Sequence, residues 1–522
     1  MLDILIKNGQ IIDGSGSPGF FGAVGIEKNT LSILRGDVSN AEAAQTIDAA
    51  GKVVCPGFID LHSHAGLTIL GEPKHEPKVR QGVTTELIGI DGISHAPFKS
   101  HKELERYIWL DSGLNGYPPK ADWLTVTELL NKYDNKVAIN IAYIIGNGPP
   151  RVWAVGWNDR PATGAQLEDM KSVMREAMEE GAWGLSTGLD YAPGSYASTD
   201  ELVALSEVSA RMGGFYHTHT RAKLRAKGLL APWHEALDIG RRSGSPVHFT
   251  HYRQPGQGVG SHYDYIGLVE KSRDEGLDVT FDCYSYPFSS TSITIALPDW
   301  AKDGGPERLM AALKDPSDRA KMKKDLSRER VENSYLTHFR RPENKKYEGK
   351  WVLDIAEMRG QDPADAIFDL LIEENLSVCV ITLGVNEQTL PAFVAHPYGM
   401  IASDSIMLGE FPSPRTYGCF PVVLAEFVRA EKHLRLPEAI RKMTSFPAQR
   451  MGLQDRGLLR DGLKADVVIF DPATVKAPAN RHHPKQFPIG IDHVIVNGTP
   501  VIKNGKHTGA LPGRSIRRGK RS

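Results

Sequence analysis

Cysteine is scarce in this chain. Four residues in 522, Cys55, Cys283, Cys379 and Cys419, lie far apart and mostly in apolar surroundings. That excludes a disulfide framework and a zinc ribbon. Each cysteine reads as a small core hydrophobe, and a reducing cytoplasm is the expected compartment. Long apolar runs are lacking too. None approaches the roughly 20 residues that span a bilayer, so no membrane partner is expected. Neither sign of charge is in excess, with 62 Lys+Arg against 63 Asp+Glu, and nothing draws the chain toward nucleic acid. The opening Met1-Leu2-Asp3-Ile4-Leu5-Ile6-Lys7 lacks the flanks of a signal peptide. The basic run 511–522 reads as a frayed, solvated terminus. What is present is globular composition, 41% hydrophobic and 24% charged, in a chain long enough for a large domain and an accessory one.

The two ends resemble each other. Ile4-Leu5-Ile6-Lys7-Asn8-Gly9-Gln10-Ile11-Ile12 reads as strand, Asn-Gly turn, strand. His493-Val494-Ile495-Val496-Asn497-Gly498 and Val501-Ile502-Lys503-Asn504-Gly505 repeat the pattern, and 465–471 is a further strand. This predicts a small β-sandwich domain from residues 1–55 and 460–510, with the catalytic domain, 56–459, inserted between its halves.

The middle alternates β-like runs with helical stretches. Candidate strands are 58–62, 84–91, 137–145, 183–187, 214–219, 247–251, 278–284, 378–383 and 400–404, and helices include 165–180, 199–212 and 363–374. Strand–helix repetition argues for α/β architecture with a parallel sheet, and this number of units for a (β/α)8 TIM-like barrel. Nine candidates for eight strands leaves one peripheral. Residues 290–350, rich in Lys, Arg and Asp with no strong strand, read as a helical insertion over the barrel, a candidate lid.

The chemistry concentrates in Pro56-Gly57-Phe58-Ile59-Asp60-Leu61-His62-Ser63-His64. Residues two apart on a strand share a face, so two imidazoles converge at one strand end. Imidazole is the commonest metal ligand. Asp91, His219, His251 and Asp404 end other candidate strands, where a barrel gathers its active site. Four histidines and two carboxylates form a donor set that suits Zn²⁺, one or two ions, with Mn²⁺ or Co²⁺ tolerated. His217 shares a face with His219 one layer deeper. His248, at an odd offset from His251, is expected to face the helices.

With Gln81-Gly82-Val83-Thr84-Thr85, Thr218-His219-Thr220-Arg221 and Arg456-Gly457-Leu458-Leu459 in place as well, the chain resembles the amidohydrolase superfamily. Within it the resemblance is closer to the N-acyl-D-amino-acid deacylases, and it covers nearly the whole chain. The resemblance implies that His62 and His64 hold one metal position with Asp404, and that His219 and His251 hold the second. The family carries a cysteine on the second strand, and here Ile90-Asp91-Gly92 offers a carboxylate, harder than a thiolate and able to bridge. The resemblance further nominates Tyr286, Ser290, Arg253, Arg415 and Arg221 as substrate contacts. It implies metal-dependent hydrolysis of a small amide carrying a carboxylate, with Asp404 as base and acid, in a monomer or a homo-oligomer. The alternatives are a cyclic-amide hydrolase of the hydantoinase or dihydropyrimidinase kind, for which no strand-end lysine is evident, and an assembly protein that has lost catalysis.

Overall fold

The computed structural model describes residues 1–36, 38, 40–256 and 259–519. Eight parallel strands carry the middle of the chain: β1 (Phe58–Asp60), β2 (Val83–Ile88), β3 (Asn140–Tyr143, resuming at Ile145–Gly146), β4 (Gly184–Gly188), β5 (Phe215–His219), β6 (Val247–Phe249), β7 (Val279–Cys283) and β8 (Gly399–Ile401). One sheet runs β3-β2-β1 and the other runs from the second segment of β3 through β4, β5, β6 and β7 to β8. The backbone of β3 joins them, with Ile144 N donating to Ile88 O at 2.9 Å. At the far edges Ser63 bridges Ser405, Asp404 N donates to His62 O at 2.8 Å, and His64 N donates to Ser405 O at 3.0 Å.

These strands are buried on both faces, as parallel strands covered by helices are. The helices start where their caps stand. Thr163 and Gln166 form a capping box on Gly164–Glu179, and Ser198 caps Thr199–Arg211. Asp362 accepts from Ala364 N and Asp365 N ahead of Pro363–Glu373. Among the described residues no helix is long and apolar enough to cross a membrane.

The two ends of the chain share sheets. Val53–Pro56 pairs with Val467–Phe470, which pairs with Ile491–Val496 and then Thr499–Lys503. A second sheet is ordered Thr30–Leu34, Ala23–Glu27, Leu2–Lys7, Ala43–Asp48. Ile4, Ile6, Val24, Val54, Val467 and Ile495 meet in one apolar cluster between them. Asn497-Gly498 and Asn504-Gly505 turn hairpins through positive φ. Asn8-Gly9 does not: it is a corner, and the strands on either side join different sheets.

Three readings need correction. The candidate strand at 378–383 is the surplus one. Cys379–Thr382 pairs antiparallel with Ser289–Ser292 and Ser334–His338 in a separate four-stranded sheet. The insertion read as helical therefore carries strands as well as the helices Pro306–Lys314 and Pro316–Asp325, because its strands are short and half-polar. The basic terminus is not frayed throughout. Ser515–Ile516 pairs with β3, and Trp183 donates to Ile516 O at 2.7 Å. Residues 520–522 lie outside the described residues.

Candidate metal centre

The strands end in abrupt turns. Asp91, His251 and Asp404 take left-handed backbone, at φ 54°, 38° and 48°. Non-glycine residues pay for this conformation, and such strain gathers at functional sites. Here it swings three side chains inward over the strand ends.

The Asp91 carboxylate lies at the middle of the result. Its Oδ2 is 3.4 Å from His62 Nε2, 3.7 Å from His64 Nε2, 3.6 Å from His219 Nδ1 and 3.9 Å from His251 Nε2. Asp404 Oδ1 is 3.4 Å from His62 Nε2 and 3.3 Å from His64 Nε2. His219 Nδ1 and His251 Nε2 approach to 3.0 Å. Two ligand groups thus share Asp91: His62, His64 and Asp404 on one side, His219 and His251 on the other.

A surrounding set of partners aims these atoms. His62 Nδ1 donates to Asp282 Oδ2 at 3.3 Å, His64 Nδ1 to Asn115 Oδ1 at 3.3 Å, and His219 Nε2 to Asp190 Oδ2 at 3.1 Å. Each bond commits one ring nitrogen and leaves the other facing the centre, the arrangement that orients metal-binding histidines. Arg415 Nη1 lies 3.0 Å from Asp404 Oδ2.

Burial alone would raise the carboxyl of Asp404, but Arg415 and His62 outweigh it and bring the pKa to about 2. Burial likewise opposes ionisation of Asp91, yet His62 and His219 hold it well below the carboxylate range. Burial pulls His219 down, and its bonds to Asp190 and Asp91 overcome that, raising it to about 10. The centre therefore favours positive charge between its carboxylates. His62 Nε2 and Asp91 Oδ1 are buried without a hydrogen-bond partner, a costly state for polar atoms. A divalent cation satisfies both. The donor set and the orphaned atoms fit a metal.

The other predicted residues divide. A cavity of about 780 Å³ opens over Asp91, His219, His251 and Asp404, and Arg253 and Ser290 line it. Tyr286 does not. Its hydroxyl points toward Gly418 and has no hydrogen-bond partner. Tyr284 lines the cavity instead, on the same face as Asp282, and its hydroxyl accepts from Arg253. The strand ends at Cys283, so the two-residue alternation does not extend to 286. Arg415 is fully buried beneath the cavity, stacked 4.2 Å over the Tyr284 ring. Arg221 is also absent from the lining. It pairs with Glu235 and donates to Ser195 O and Ala197 O, which pins a loop. Arg225 and Arg330, which the sequence reading missed, also line the cavity. Neither belongs to a strand-end motif.

His217 is buried, its two ring nitrogens without hydrogen-bond partners and its Nε2 3.9 Å from Asp282 Oδ2, and it stacks on His248. Burial and the neighbouring His248 hold it well below the usual histidine range. His248 does not face the helices: it bonds Asp282 at 3.1 Å, on the face that carries His217. Strand alternation does not link His248 to His251, because β6 stops at Phe249.

Fold and site together define a parallel α/β protein with a metal-binding centre at its strand ends. The amidohydrolase-family profile matches residues 45–226 and 398–502, and the chain belongs to that family. It is 31% identical over 518 residues to the D-aminoacylase of Alcaligenes xylosoxydans xylosoxydans, covering 99% of this chain and 98% of that one. It is also 31% identical over 520 residues to the N-acyl-D-glutamate deacylase of the same organism, covering 99% and 97%. The crystal structure of N-acyl-D-glutamate deacylase from Bordetella bronchiseptica superposes with TM-score 0.82 at 29% identity, covering 99% of each chain. That protein was solved with zinc and a phosphonate mimic of the tetrahedral intermediate.

Proposed function

We propose that this protein is a zinc-dependent deacylase of N-acyl-D-amino acids, working at the centre shared by Asp91. The observation that carries the reading is Asp91 Oδ2 standing between the two histidine groups, with Asp404 facing His62 and His64. The full-length likeness to D-aminoacylase and N-acyl-D-glutamate deacylase supports it. The eight parallel strands form a closed barrel in this reading, supported by the hydrogen bonds between the β1 and β8 ends. Residues 1–55 and 460–510 form the accessory β domain, supported by their common apolar cluster.

His62, His64 and Asp404 would hold one ion and His219 and His251 the other, with Asp91 between them. Zinc, when bound, supplies Lewis-acid polarisation of the amide carbonyl and eases ionisation of water. Asp404, a carboxylate far into the acid range, accepts the proton of the attacking water. It then donates that proton to the departing nitrogen, so the C–N bond breaks to a carboxylic acid and a free amine. Arg253 and Tyr284, at the cavity wall, orient the substrate carboxylate, and Ser290 accompanies them. Arg415 keeps Asp404 ionised and aimed. A cyclic-amide hydrolase commonly puts a carboxylated lysine between its metals, whereas the position between the histidine groups here belongs to Asp91.

Removing the proton acceptor tests the mechanism. Asp404→Asn should lower kcat by about 10²–10⁴-fold on N-acetyl-D-amino acids, read by amine release from zinc-reconstituted enzyme, with the fold unchanged by circular dichroism. Near-normal turnover would exclude Asp404 as the base, and turnover of the L series alone would exclude the substrate class.

A further inference from the structure

The aspartate of the first-strand motif, Asp60, is not explained by the chemistry above. It lies two residues before His62, is fully buried, and all its acceptor capacity is used. Asp60 Oδ1 accepts from His62 N at 3.1 Å and from Ser403 N at 3.0 Å. Asp60 Oδ2 accepts from Ser403 Oγ at 2.5 Å and from the ammonium of Lys78. Lys78 is itself fully buried and donates to Ser403 Oγ at 2.6 Å. Glu86 of β2 lies 3.5 Å from Lys78 Nζ and accepts from Ser63 Oγ at 3.0 Å. A buried lysine between two buried carboxylates thus ties β1, β2 and the end of β8 together.

Such a cluster is a poor device for stability, since apolar replacements often serve as well. Its value lies in where it sits. β1 and β8 share a single bridge at Ser63 and Ser405 and two backbone hydrogen bonds around it. The metal group of His62, His64 and Asp404 straddles that short seam. Asp60 grips the backbone at His62 on one side and at Ser403, next to Asp404, on the other.

We propose that Asp60, clamped by Lys78, is a positioning residue that sets the spacing of His62 and His64 against Asp404 across the β1–β8 seam. The inference rests on the metal-centre reading given above. Through the backbone it fixes both the ligand and the proton acceptor, so its loss moves them apart together.

Paired substitutions in the full-length, metal-loaded protein separate positioning from charge burial. Asp60→Asn with Lys78→Met keeps an oxygen acceptor for the two backbone N–H groups. Asp60→Ala with Lys78→Met removes it. Both leave Glu86 with His75 Nε2, at 3.0 Å, as its partner, so that change is common to the two pairs and cancels in the comparison. The Ala pair should bind metal roughly 10–100-fold more weakly than the Asn pair. It should also alter the visible spectrum of the cobalt-substituted centre, and lose kcat more than KM. Equal metal affinity and identical cobalt spectra in the two pairs would overturn the proposal. If neither pair folds, Ser403→Ala removes the hydroxyl's two bonds of the clamp, to Asp60 and from Lys78, with both charges retained. Weakened metal binding in that variant supports positioning, and unchanged binding overturns it. The metal readouts need no substrate. Wild-type protein that fails on N-acyl-D-amino acids would therefore sink the substrate reading and leave the positioning result standing.

Discussion

At the scale of single residues, Asp91 determines what the two histidine pairs have in common. A thiolate at this position presents one soft donor, and a carboxylate presents two harder oxygens. Asp91 Oδ2 lies within 3.9 Å of His62, His64, His219 and His251. Asp91→Ala should therefore lower metal content at both positions, measured as metal per chain after equilibrium dialysis. Loss confined to the His219 and His251 position would show that the carboxylate does not bridge. The histidine cluster was legible because His62 and His64 stand two residues apart in a distinctive motif. The cavity wall was less so. Tyr284 and Tyr286 are equivalent by alternation, and both follow the end of β7 at Cys283, so parity does not decide which of them faces the cavity. Tyr284→Phe should cut kcat/KM about tenfold, the worth of one hydrogen bond to a charged group. Tyr286→Phe should stay within about twofold, since its hydroxyl has no partner to lose. Equal effects in the two variants would mean that substrate does not meet Tyr284.

At the scale of elements, alternating strand and helix patterns made the parallel strands readable, because each buries a short apolar run bounded by turn residues. The insertion was harder, since Ser289–Ser292 and Ser334–His338 hold few apolar residues and pair antiparallel with a strand some 40 or more positions away. His338, at the end of this sheet, makes the insertion sensitive to acid. Burial, with Lys345 and Arg340 nearby, pulls its pKa down to about 4, against about 6.5 for a free histidine. Between those values the unfolded chain binds a proton that the folded chain refuses, so stability rises with pH across the window. The contribution is complete above about pH 6.5 and is lost as the pH falls toward 4. His338→Gln should therefore shrink the drop in unfolding midpoint between pH 7 and pH 5 relative to wild type. Parallel drops in the two proteins would show that His338 is not the responsive group.

At the scale of the whole molecule, the described residues bury three apolar clusters, one of which lies between the terminal sheets. The terminal sheets close over their own cluster of Ile4, Ile6, Val24, Val54 and Val467, and no metal-centre residue belongs to it. The pairing of the two ends was visible in their matching Asn-Gly patterns, although the corner at Asn8-Gly9 and the return of Ser515–Ile516 to β3 were not. Both depend on which sheet a strand joins, and local sequence does not encode it. The parallel strands instead converge on buried Asp91, Asp282 and Asp404 and half-buried Asp190, four carboxylates around one centre. A cation there offsets repulsion that protonated histidines and Arg415 offset only in part. Metal should therefore stabilise the folded state by about 2.7 kcal/mol when its free concentration is a hundred times its dissociation constant. Chelation should lower the melting temperature accordingly. It should also speed amide hydrogen exchange at the ends of β1, β2 and β8, while the sheets containing Leu2–Lys7 and Ile491–Val496 keep their protection. Exchange that rises equally in both regions would mean that metal acts on a single cooperative unit, and that the terminal sheets depend on the centre for their stability.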